Sequence, residues 1–515
     1  MIAKLLKAYK KSAANRAALN TIVIYGQRFF AAALSLITTP LILKALGIED
    51  YGLYTLTLGF VGMLAVLNWS LSNATQRYTA FAIGEKNFEK LKKVYSTALV
   101  IHFLYGLLLF AVIVCIGYFF VEQLLNIPPE KIDTAKQVLY IVGFVSFLTI
   151  MSIPFLGMLR SQENFIAIAL VGITESVLKL CIAVFLLYVT EDKLIVYAFL
   201  LLLISLISFG IYFGIIRTKY KMVSVTFKYY DKGYSKEMTS FLSWSLLGSL
   251  ALTSRNEGVQ ILMNLFFGLA RNAAYGIAMQ VNAAMAILSQ GILGSLSPQI
   301  VKSAGSGDYK KMIFLMRTMS KFATFSVSIL AIPIFFQIPT VLKIWLGEYP
   351  EDTVTFIRMI IIFGQIMLLS AGIQTVFDSI GKVRLYNIWV SFILLLNLPI
   401  GYLVFSMGFP SYSIIVVGMA LELISLNVRL WLLKKYVDFS IKDFYFDTIF
   451  RVFIPSFVVA ALIYAFSLLA LADFTAILGT GLITLLLYPL LIYKFSLEPK
   501  QKEIISGMLS KLLKK

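Results

Sequence analysis

Long apolar runs recur along the whole sequence, separated by short polar segments. Many reach about 20 residues, the length that a helix needs to cross a bilayer. The runs are continuous rather than alternating, so helices rather than barrel strands satisfy the backbone hydrogen bonds in the membrane. The pattern predicts an all-α polytopic membrane protein with fourteen transmembrane helices, at 19–46, 52–73, 96–121, 137–159, 165–189, 194–216, 241–267, 275–298, 318–342, 354–377, 387–407, 413–433, 450–472 and 474–494.

Composition supports this class. Charged residues make up 14% of the chain, whereas about a quarter is usual in soluble proteins. Cys115 and Cys181 lie inside apolar runs, so we interpret them as packing residues without a disulfide framework. Neither they nor the single histidine, His102, have the spacing of metal ligands. We therefore expect no metal and no bound cofactor.

The distribution of lysine and arginine predicts the orientation of the helices. With the N-terminus inside, the inner segments hold 35 of the 45 Lys and Arg residues, and the outer loops hold seven. This asymmetry is what the positive-inside rule requires, and it places both termini in the cytoplasm. The net charge of +19 thus reports topology. We do not expect nucleic-acid binding, because the cations are spread over many inner segments rather than gathered in one patch.

Charge and span positions also suggest four regions. Residues 1–216 form an N-lobe of spans 1–6, preceded by an interfacial segment, and 217–238 form a basic cytoplasmic linker. Residues 239–435 form a C-lobe of spans 7–12, and 436–515 add spans 13 and 14 and a basic amphipathic cytoplasmic tail. The terminal segments have apolar residues at helical spacing between lysines, which is typical of helices on an anionic membrane surface. A solubilising tail at either end is the alternative.

An internal repeat supports the division into lobes. Gly47 precedes Tyr51-Gly52, a span, and then Gly84 with a basic inner segment; Gly268 precedes Tyr275-Gly276, a span, and then Gly307 with a basic inner segment. Alignment on the Tyr-Gly pairs places Arg28 opposite Leu252, about one helical turn from Arg255. The ordered set predicts two pseudo-symmetric six-helix lobes, followed by two additional C-terminal helices.

Several motifs resemble a known family of transporters. They are Pro40 to Gly47 at the end of span 1 with Glu49-Asp-Tyr-Gly-Leu-Tyr54 after it, Leu71 to Tyr78 at the end of span 2, the inner segment 84–93, and Ile344-Trp-Leu-Gly347. With them the whole chain resembles the polysaccharide exporter branch of the MOP superfamily, specifically Wzx-type O-antigen flippases.

The resemblance implies two MATE-like lobes and a central cavity lined largely by spans 1, 2, 7 and 8. It also implies that undecaprenyl-pyrophosphate-linked oligosaccharide, an O-antigen or related polysaccharide repeat unit, is flipped from the inner to the outer leaflet by alternating access. The expected location is the bacterial inner membrane, and the polysaccharide polymerase machinery and anionic membrane lipids are expected partners. Relatives export drugs or flip a peptidoglycan precursor, so the substrate class stays open within the family.

Two arginines inside apolar spans are the main candidates for binding the head group. An ionised side chain at bilayer depth costs about 2.5 kcal/mol or more, so it usually faces a cavity or a partner. A guanidinium binds phosphate oxygens through a fork of donors, and Arg28 and Arg255 would hold a pyrophosphate in this way. The alternative is a structural cation, for which Glu257 is the acid available to Arg255.

Polar residues near these arginines complete the expected cavity. Asn68, Ser72 and Gln76 share one helical face because they are four residues apart. Such side chains suit a sugar chain, although interhelical hydrogen bonds are an equally good explanation. The remaining candidates for this cavity are Gln27, Asn73, Asn256, Glu257, Gln280 and Gln290.

Four further residues are weaker candidates for coupling transport to a proton or sodium gradient. Glu175 and Lys179 lie four apart on span 5 and are expected to neutralise each other as a structural pair. Glu422 and Asp378 lie on or near spans 12 and 10, and Asp378 is expected at the interface near Lys382.

Two other functions use similar substrates or the same fold. A MATE-like antiporter of small cationic molecules should present acids and aromatics, whereas spans 1, 2, 7 and 8 offer arginines and amides, with Glu257 as the acid. A membrane O-antigen ligase or glycosyltransferase would need catalytic residues on sizeable outer loops, and the outer loops are short. We expect no catalytic residues, so the sequence favours a transporter over an enzyme.

Overall fold

A computed structural model describes residues 13–64, 68–223, 225–468, 473–499 and 501–503. Within these ranges the chain is helical and contains no β-strand, which confirms the predicted fold class. The two amphipathic terminal segments predicted from the sequence lie outside the described residues over 1–12 and 504–515.

The chain divides into two compact units, Met1–Ala273 (unit 1) and Ala274–Lys515 (unit 2). The finer boundaries predicted at residues 216, 238 and 435 stay predictions. The helices that begin in unit 1 are α1 (Ala13–Leu64), α2 (Asn68–Gly84), α3 (Phe88–Phe119), α4 (Ile132–Ser161), α5 (Phe165–Leu186), α6 (Lys193–Lys219) and α7 (Lys232–Gly305).

Helix α7 continues into unit 2, whose other helices are α8 (Tyr309–Trp345), α9 (Thr353–Leu369), α10 (Ile373–Ile380), α11 (Val383–Leu395), α12 (Asn397–Ser406), α13 (Ser413–Tyr436), α14 (Ile441–Phe444), α15 (Arg451–Ser467) and α16 (Asp473–Leu491). Short π-helical turns follow α3, α14 and α16, at Phe120–Leu124, Tyr445–Phe450 and Ile492–Ser496. A 3₁₀ turn at Pro129–Lys131 precedes α4.

Twelve helices of the described chain are long and apolar enough to cross a membrane. Two of them, within α1 and α7, contain a kink at a glycine with left-handed backbone, Gly47 (φ 82°) and Gly268 (φ 76°). A residue with a Cβ is disfavoured in this conformation, whereas glycine adopts it readily. Division of both helices at these glycines would raise the count of segments from twelve toward the predicted fourteen, and the exact number of spans stays a prediction.

The kink in α7 is held by amides. The Asn272 side chain donates to both the backbone oxygen of Gln260 (2.7 Å) and its side-chain oxygen (2.9 Å), so the two sides of the kink are tied together. Asn264 exchanges two hydrogen bonds with the backbone of Asn126 in the loop after α3. Amide pairs replace the backbone bonds that a kink interrupts, which is the requirement for a bent helix in a membrane.

Helix α4 is central to unit 1. It packs against α2, α3 and α6, and its C-terminal turns join a cluster of buried apolar side chains that includes Leu91, Leu99, Phe155, Met158 and Ile216. The polar ends of α2 and α6 are therefore fixed relative to the last turn of α4, which matters for the site described below.

In unit 2, α8 packs against α9, α15 and α16. Phe325, Val452, Val459, Ile463 and Tyr488 form the buried apolar contact between them. The last two predicted spans are thus attached to the first helix that lies wholly within unit 2.

The cysteine prediction is wrong on one point. Cys115 and Cys181 are free, as expected, but both are exposed on the helical surface rather than packed inside. An apolar outer face is favourable when lipid replaces water, so an apolar run does not distinguish a core position from a lipid-facing one.

Candidate functional site

Arg28 lies on the part of α1 that packs along α5. The preceding residue, Gln27, faces α5 directly: a Cβ on Gly172 would lie 2.6 Å from its Nε2 atom. Successive helical residues point about 100° apart, so Arg28 projects beside this contact, and its side chain is exposed. The small residue on α5 thus allows the close packing that fixes the direction of Arg28.

A second guanidinium lies within electrostatic range of Arg28. It belongs to Arg160 in the last turn of α4, and the two side chains interact electrostatically with each other. Arg160 Nη1 donates to the Ser72 hydroxyl oxygen at 2.8 Å, and its charge also acts on Tyr212 of α6. Within the described ranges Arg160 forms no ion pair with a carboxylate. Unit 1 therefore brings two like charges together beside a hydroxyl group.

The polar face predicted on α2 lies against this end of α4. Ser72 is buried and accepts from Arg160, and the backbone carbonyl of Gln76 accepts from the Ser161 hydroxyl at 3.1 Å. Asn68 lies one turn from Ser72, and its buried Oδ1 atom has no hydrogen-bond partner. The Asn73 side chain lies outside the described part of the structure.

Arg255, the second predicted arginine, is also in unit 1. It is buried, with 4% of its surface exposed, and its Nε donates to the side chain of Asn256 at 3.3 Å. The Glu257 carboxyl group packs against Gly62 of α1, where a Cβ would lie 3.3 Å from Glu257 Cδ. That Arg28 and Arg255 bind one head group stays a prediction.

A polar cavity of about 360 Å³ lies within unit 1. Side chains from α1, α4, α5 and α6 line it, among them Tyr54, Ser152, Glu175, Lys179, Ser208 and Tyr212. Tyr212 lines this cavity and lies within electrostatic range of both Glu175 and Arg160.

The expected ion pair between Glu175 and Lys179 does not form among the described residues. Both side chains line the cavity together with several hydroxyl-bearing residues, and Lys179 is exposed. A long lysine side chain can direct its ammonium away from a neighbour on the same face, so the helical spacing alone does not ensure pairing. Their role in ion coupling stays a prediction.

The remaining predicted residues are in unit 2. Gln280 is half-buried and Gln290 is exposed, both on α7. Glu422 is 1% exposed and pairs with Arg429 at 3.1 Å, and Ser370 contacts both side chains. Asp378 is exposed. Glu422 and Arg429 thus form a buried ion pair within α13, and the sequence analysis did not assign this partner. A role of Glu422 in ion coupling stays a prediction.

Sequence reasoning missed Arg160. It follows the predicted fourth span, so it is counted with the inner cations that set topology. Nothing in the linear pattern separates it from them, because its proximity to Ser72 and Arg28 depends on the packing of α4 against α2 and α1. Tyr212 was missed for the same reason.

A family comparison covers the first part of the chain. Residues 24–185 match the MatE family, a range that contains Arg28, Ser72, Arg160 and Glu175. Among curated protein sequences, none matches the chain.

Solved structures match over most of the chain. The lipid II flippase MurJ in an inward closed conformation has a TM-score of 0.69 at 15% identity, covering 92% of this chain and 98% of its own. An inward-facing multidrug resistance MATE transporter of the MOP superfamily has a TM-score of 0.65 at 16% identity, covering 82% and 98%. A MOP transporter from Pyrococcus furiosus, described by the reverse polarity of its binding pocket, has a TM-score of 0.58 at 14% identity, covering 80% and 94%.

At these identities the structural matches establish the fold. Together with the twelve apolar helices, they describe a multi-pass membrane protein with the fold of the matched MOP-superfamily transporters, in which residues 24–185 are similar to the MatE family.

Proposed function

We propose that the protein flips an undecaprenyl-pyrophosphate-linked oligosaccharide, an O-antigen or related polysaccharide repeat unit, from the inner to the outer leaflet of a bacterial inner membrane. The observation that carries this proposal is the position of Arg28 within α1, beside a second guanidinium. Cations inside a membrane helix are costly, and a pyrophosphate provides the dense negative charge that offsets this cost. The fold shared with a lipid II flippase supports a lipid-linked substrate.

The transport cycle in this proposal is alternating access. The head group binds Arg28 and Arg255 from the cytoplasmic side, the prenyl chain stays in lipid, and a conformational change exposes the head group outside. Basic inner segments attract anionic lipids to the cytoplasmic surface. Glu175, Lys179, Asp378 and Glu422 are candidates for coupling to a proton or sodium gradient, and the polysaccharide polymerase machinery would receive the product.

A MATE-like antiporter of small cations is the second candidate. The MatE match over residues 24–185 and the cavity with Glu175 favour it, because a carboxylate beside tyrosines suits a cationic ligand. The paired arginines disfavour it, because they repel a cation. A ligase or glycosyltransferase is the least supported, since the solved structures that match are transporters and flippases.

The test uses purified protein in liposomes that contain a fluorescent undecaprenyl-diphosphate disaccharide, with a membrane-impermeant quencher reporting leaflet transfer. We expect transfer by the wild type and a rate reduced about tenfold or more in Arg28→Ala and Arg255→Ala, because each variant loses a charge-assisted contact. Arg217→Ala, which changes an arginine in the last turn of α6, serves as control and should keep wild-type transfer.

Other outcomes identify the alternatives. Uptake of a cationic dye without lipid transfer would favour the antiporter. Formation of a new glycoside from the lipid-linked donor would indicate a transferase. Normal transfer by both arginine variants would disprove the role of these two residues.

A further inference from the structure

The arginine pair in unit 1, Arg28 and Arg160, places two positive charges within electrostatic range of each other. Arg28 and Arg160 act on each other as like charges, and like charges held together favour an anion between them. Arg160 is half-buried, and the groups whose charges act on it are Tyr212 and Arg28, neither of which is a carboxylate. The fold thus presents a cation pair whose second member has no acidic partner in the described ranges.

The hydrogen-bonding groups around Arg160 leave donors available. A guanidinium carries five N–H donors, and one of them, on Nη1, is used by Ser72. Ser72 acts as the acceptor in that bond, so its own hydroxyl proton remains to be donated. Two guanidinium forks and a hydroxyl group suit phosphate oxygens, which accept several hydrogen bonds at once.

An acceptor lies one helical turn away. The Asn68 Oδ1 atom is buried and has no hydrogen-bond partner, although buried polar atoms nearly always have one. A sugar hydroxyl would supply the missing donor. The order along the α2 face, from Ser72 to Asn68, therefore matches a head group in which a phosphate is linked to a sugar.

We infer that Arg160, oriented by Ser72, forms with Arg28 a diphosphate-binding site on unit 1, and that Asn68 contacts the first sugar. This inference rests on the proposed function and adds three residues to it. Ser72 is a positioning residue that holds one branch of the Arg160 guanidinium. Arg160 follows the predicted fourth span, at its cytoplasmic end, so the diphosphate is bound at the depth of the inner leaflet.

The phosphate of an ordinary phospholipid shares part of this chemistry. A single phosphate diester carries one negative charge, whereas a diphosphate carries more charge and more oxygens for two guanidinium groups. The experiment therefore compares undecaprenyl diphosphate with phosphatidylglycerol as titrants, using purified full-length protein in detergent and changes in intrinsic fluorescence or in thermal stability as the signal.

We expect Arg160→Gln to weaken undecaprenyl diphosphate binding roughly ten- to hundredfold, as for loss of a charge-assisted hydrogen bond. Arg160→Lys keeps the charge but loses the fork, so its affinity should fall between those of Arg160→Gln and the wild type. Ser72→Ala should weaken binding severalfold. Arg217→Gln is the matched control and should bind as the wild type does.

The outcomes separate this inference from the proposed function. Normal binding by Arg160→Gln together with weak binding by Arg28→Ala would overturn the inference and leave the proposed function standing. Normal binding by both variants would disprove the role of the cation pair. Equal affinity of the wild type for phosphatidylglycerol and undecaprenyl diphosphate would overturn the diphosphate assignment. Without ligand, Arg160→Gln and Arg160→Lys should each have the melting temperature of the wild type, which shows that both variants are folded.

Discussion

At the scale of single residues, the sequence identifies groups that are costly in a membrane but not the groups beside them. Arg28 is recognisable because apolar residues surround it on both sides along the chain. Arg160 is not, because its position at a helix end resembles that of any topology-setting cation. Its proposed role depends on Ser72 and Arg28, which are 88 and 132 residues away along the chain. Such proximity follows from packing, and a single sequence contains no direct signal for it.

Gly52 gives a stability prediction at this scale. A Cβ at Gly52 would lie 2.1 Å from the backbone oxygen of Leu269, within unit 1. Backbone atoms cannot give way as a side-chain end can, so we expect Gly52→Ala to destabilise the protein by about 1–3 kcal/mol. Thermal unfolding in detergent measures the effect.

The matched control for this experiment is Gly26→Ala. Gly26 is also helical, but no atom lies within 4 Å of its added Cβ, so this change should be neutral or slightly stabilising. A wild-type melting temperature for Gly52→Ala would show that the two segments do not approach this closely.

At the scale of helices, apolar length in the sequence predicted the all-helical class and the approximate positions of the spans. The orientation inferred from charge asymmetry stays a prediction. The sequence did not reveal which helices are joined by salt bridges. Lys321 on α8 is fully buried, with 0% exposure, and bonds Glu498 after α16 at 2.9 Å. Gln501 in turn donates to Thr318 of α8 at 2.8 Å. Within unit 2, these contacts attach the segment after α16 to α8.

The Lys321–Glu498 pair predicts unequal effects of its two single changes. Glu498→Gln leaves a buried ammonium without its carboxylate and should cost about 3 kcal/mol. Lys321→Met removes the buried charge itself and leaves Glu498, which is 26% exposed, free to be solvated, so its cost should be smaller. The double variant should recover most of the loss. Unfolding free energies in detergent give the comparison.

Glu130→Gln is the control for this series, because Glu130 is exposed in the turn before α4 and should change stability little. A larger loss for Lys321→Met than for Glu498→Gln would contradict the account of the buried ammonium.

At the scale of the whole molecule, the basic segment between α6 and α7 is hydrogen-bonded to the first turns of α3. The Ser96 hydroxyl donates to the Thr226 carbonyl at 2.7 Å and accepts from the Tyr229 N–H, and Asp231 N–H donates to Thr97. Asp231 begins α7: the Tyr234 backbone N–H donates to its carboxylate, which also contacts Lys93 at 3.4 Å. The composition of this segment predicted a linker, whereas its contacts with the start of α3 could not be predicted.

Asp231 gives a prediction about this segment. Hydrogen bonds from Tyr234 N–H, and next from Lys93, hold the pKa of Asp231 below its usual value. A lowered pKa means that the carboxylate stabilises the folded form fully above about pH 4 and that this contribution is lost as the pH falls through the lowered pKa. At neutral pH, Asp231→Ala should expose the segment to trypsin severalfold faster than in the wild type.

Glu237→Gln serves as the control, because Glu237 is exposed on the first turns of α7 and should leave cleavage unchanged. Equal cleavage rates for Asp231→Ala and the wild type would show that the N-cap does not hold the segment in place.

The left-handed glycines reveal a numerical register between the two halves of the chain. Gly47 and Gly268 are 221 residues apart, and so are the left-handed residues Lys86 and Gly307. The same offset relates Asn87 and Asp308, which cap α3 and α8 through the N–H groups of Lys90 and Lys311. In this register Arg28 lies opposite Ser249 and Arg160 lies opposite Gly381, so neither arginine has a cationic counterpart in the other half of the chain. If the tolerance to substitution is measured at every position, each position should therefore resemble the one 221 residues later. Arg28 and Arg160 should be exceptions, each less tolerant than its counterpart.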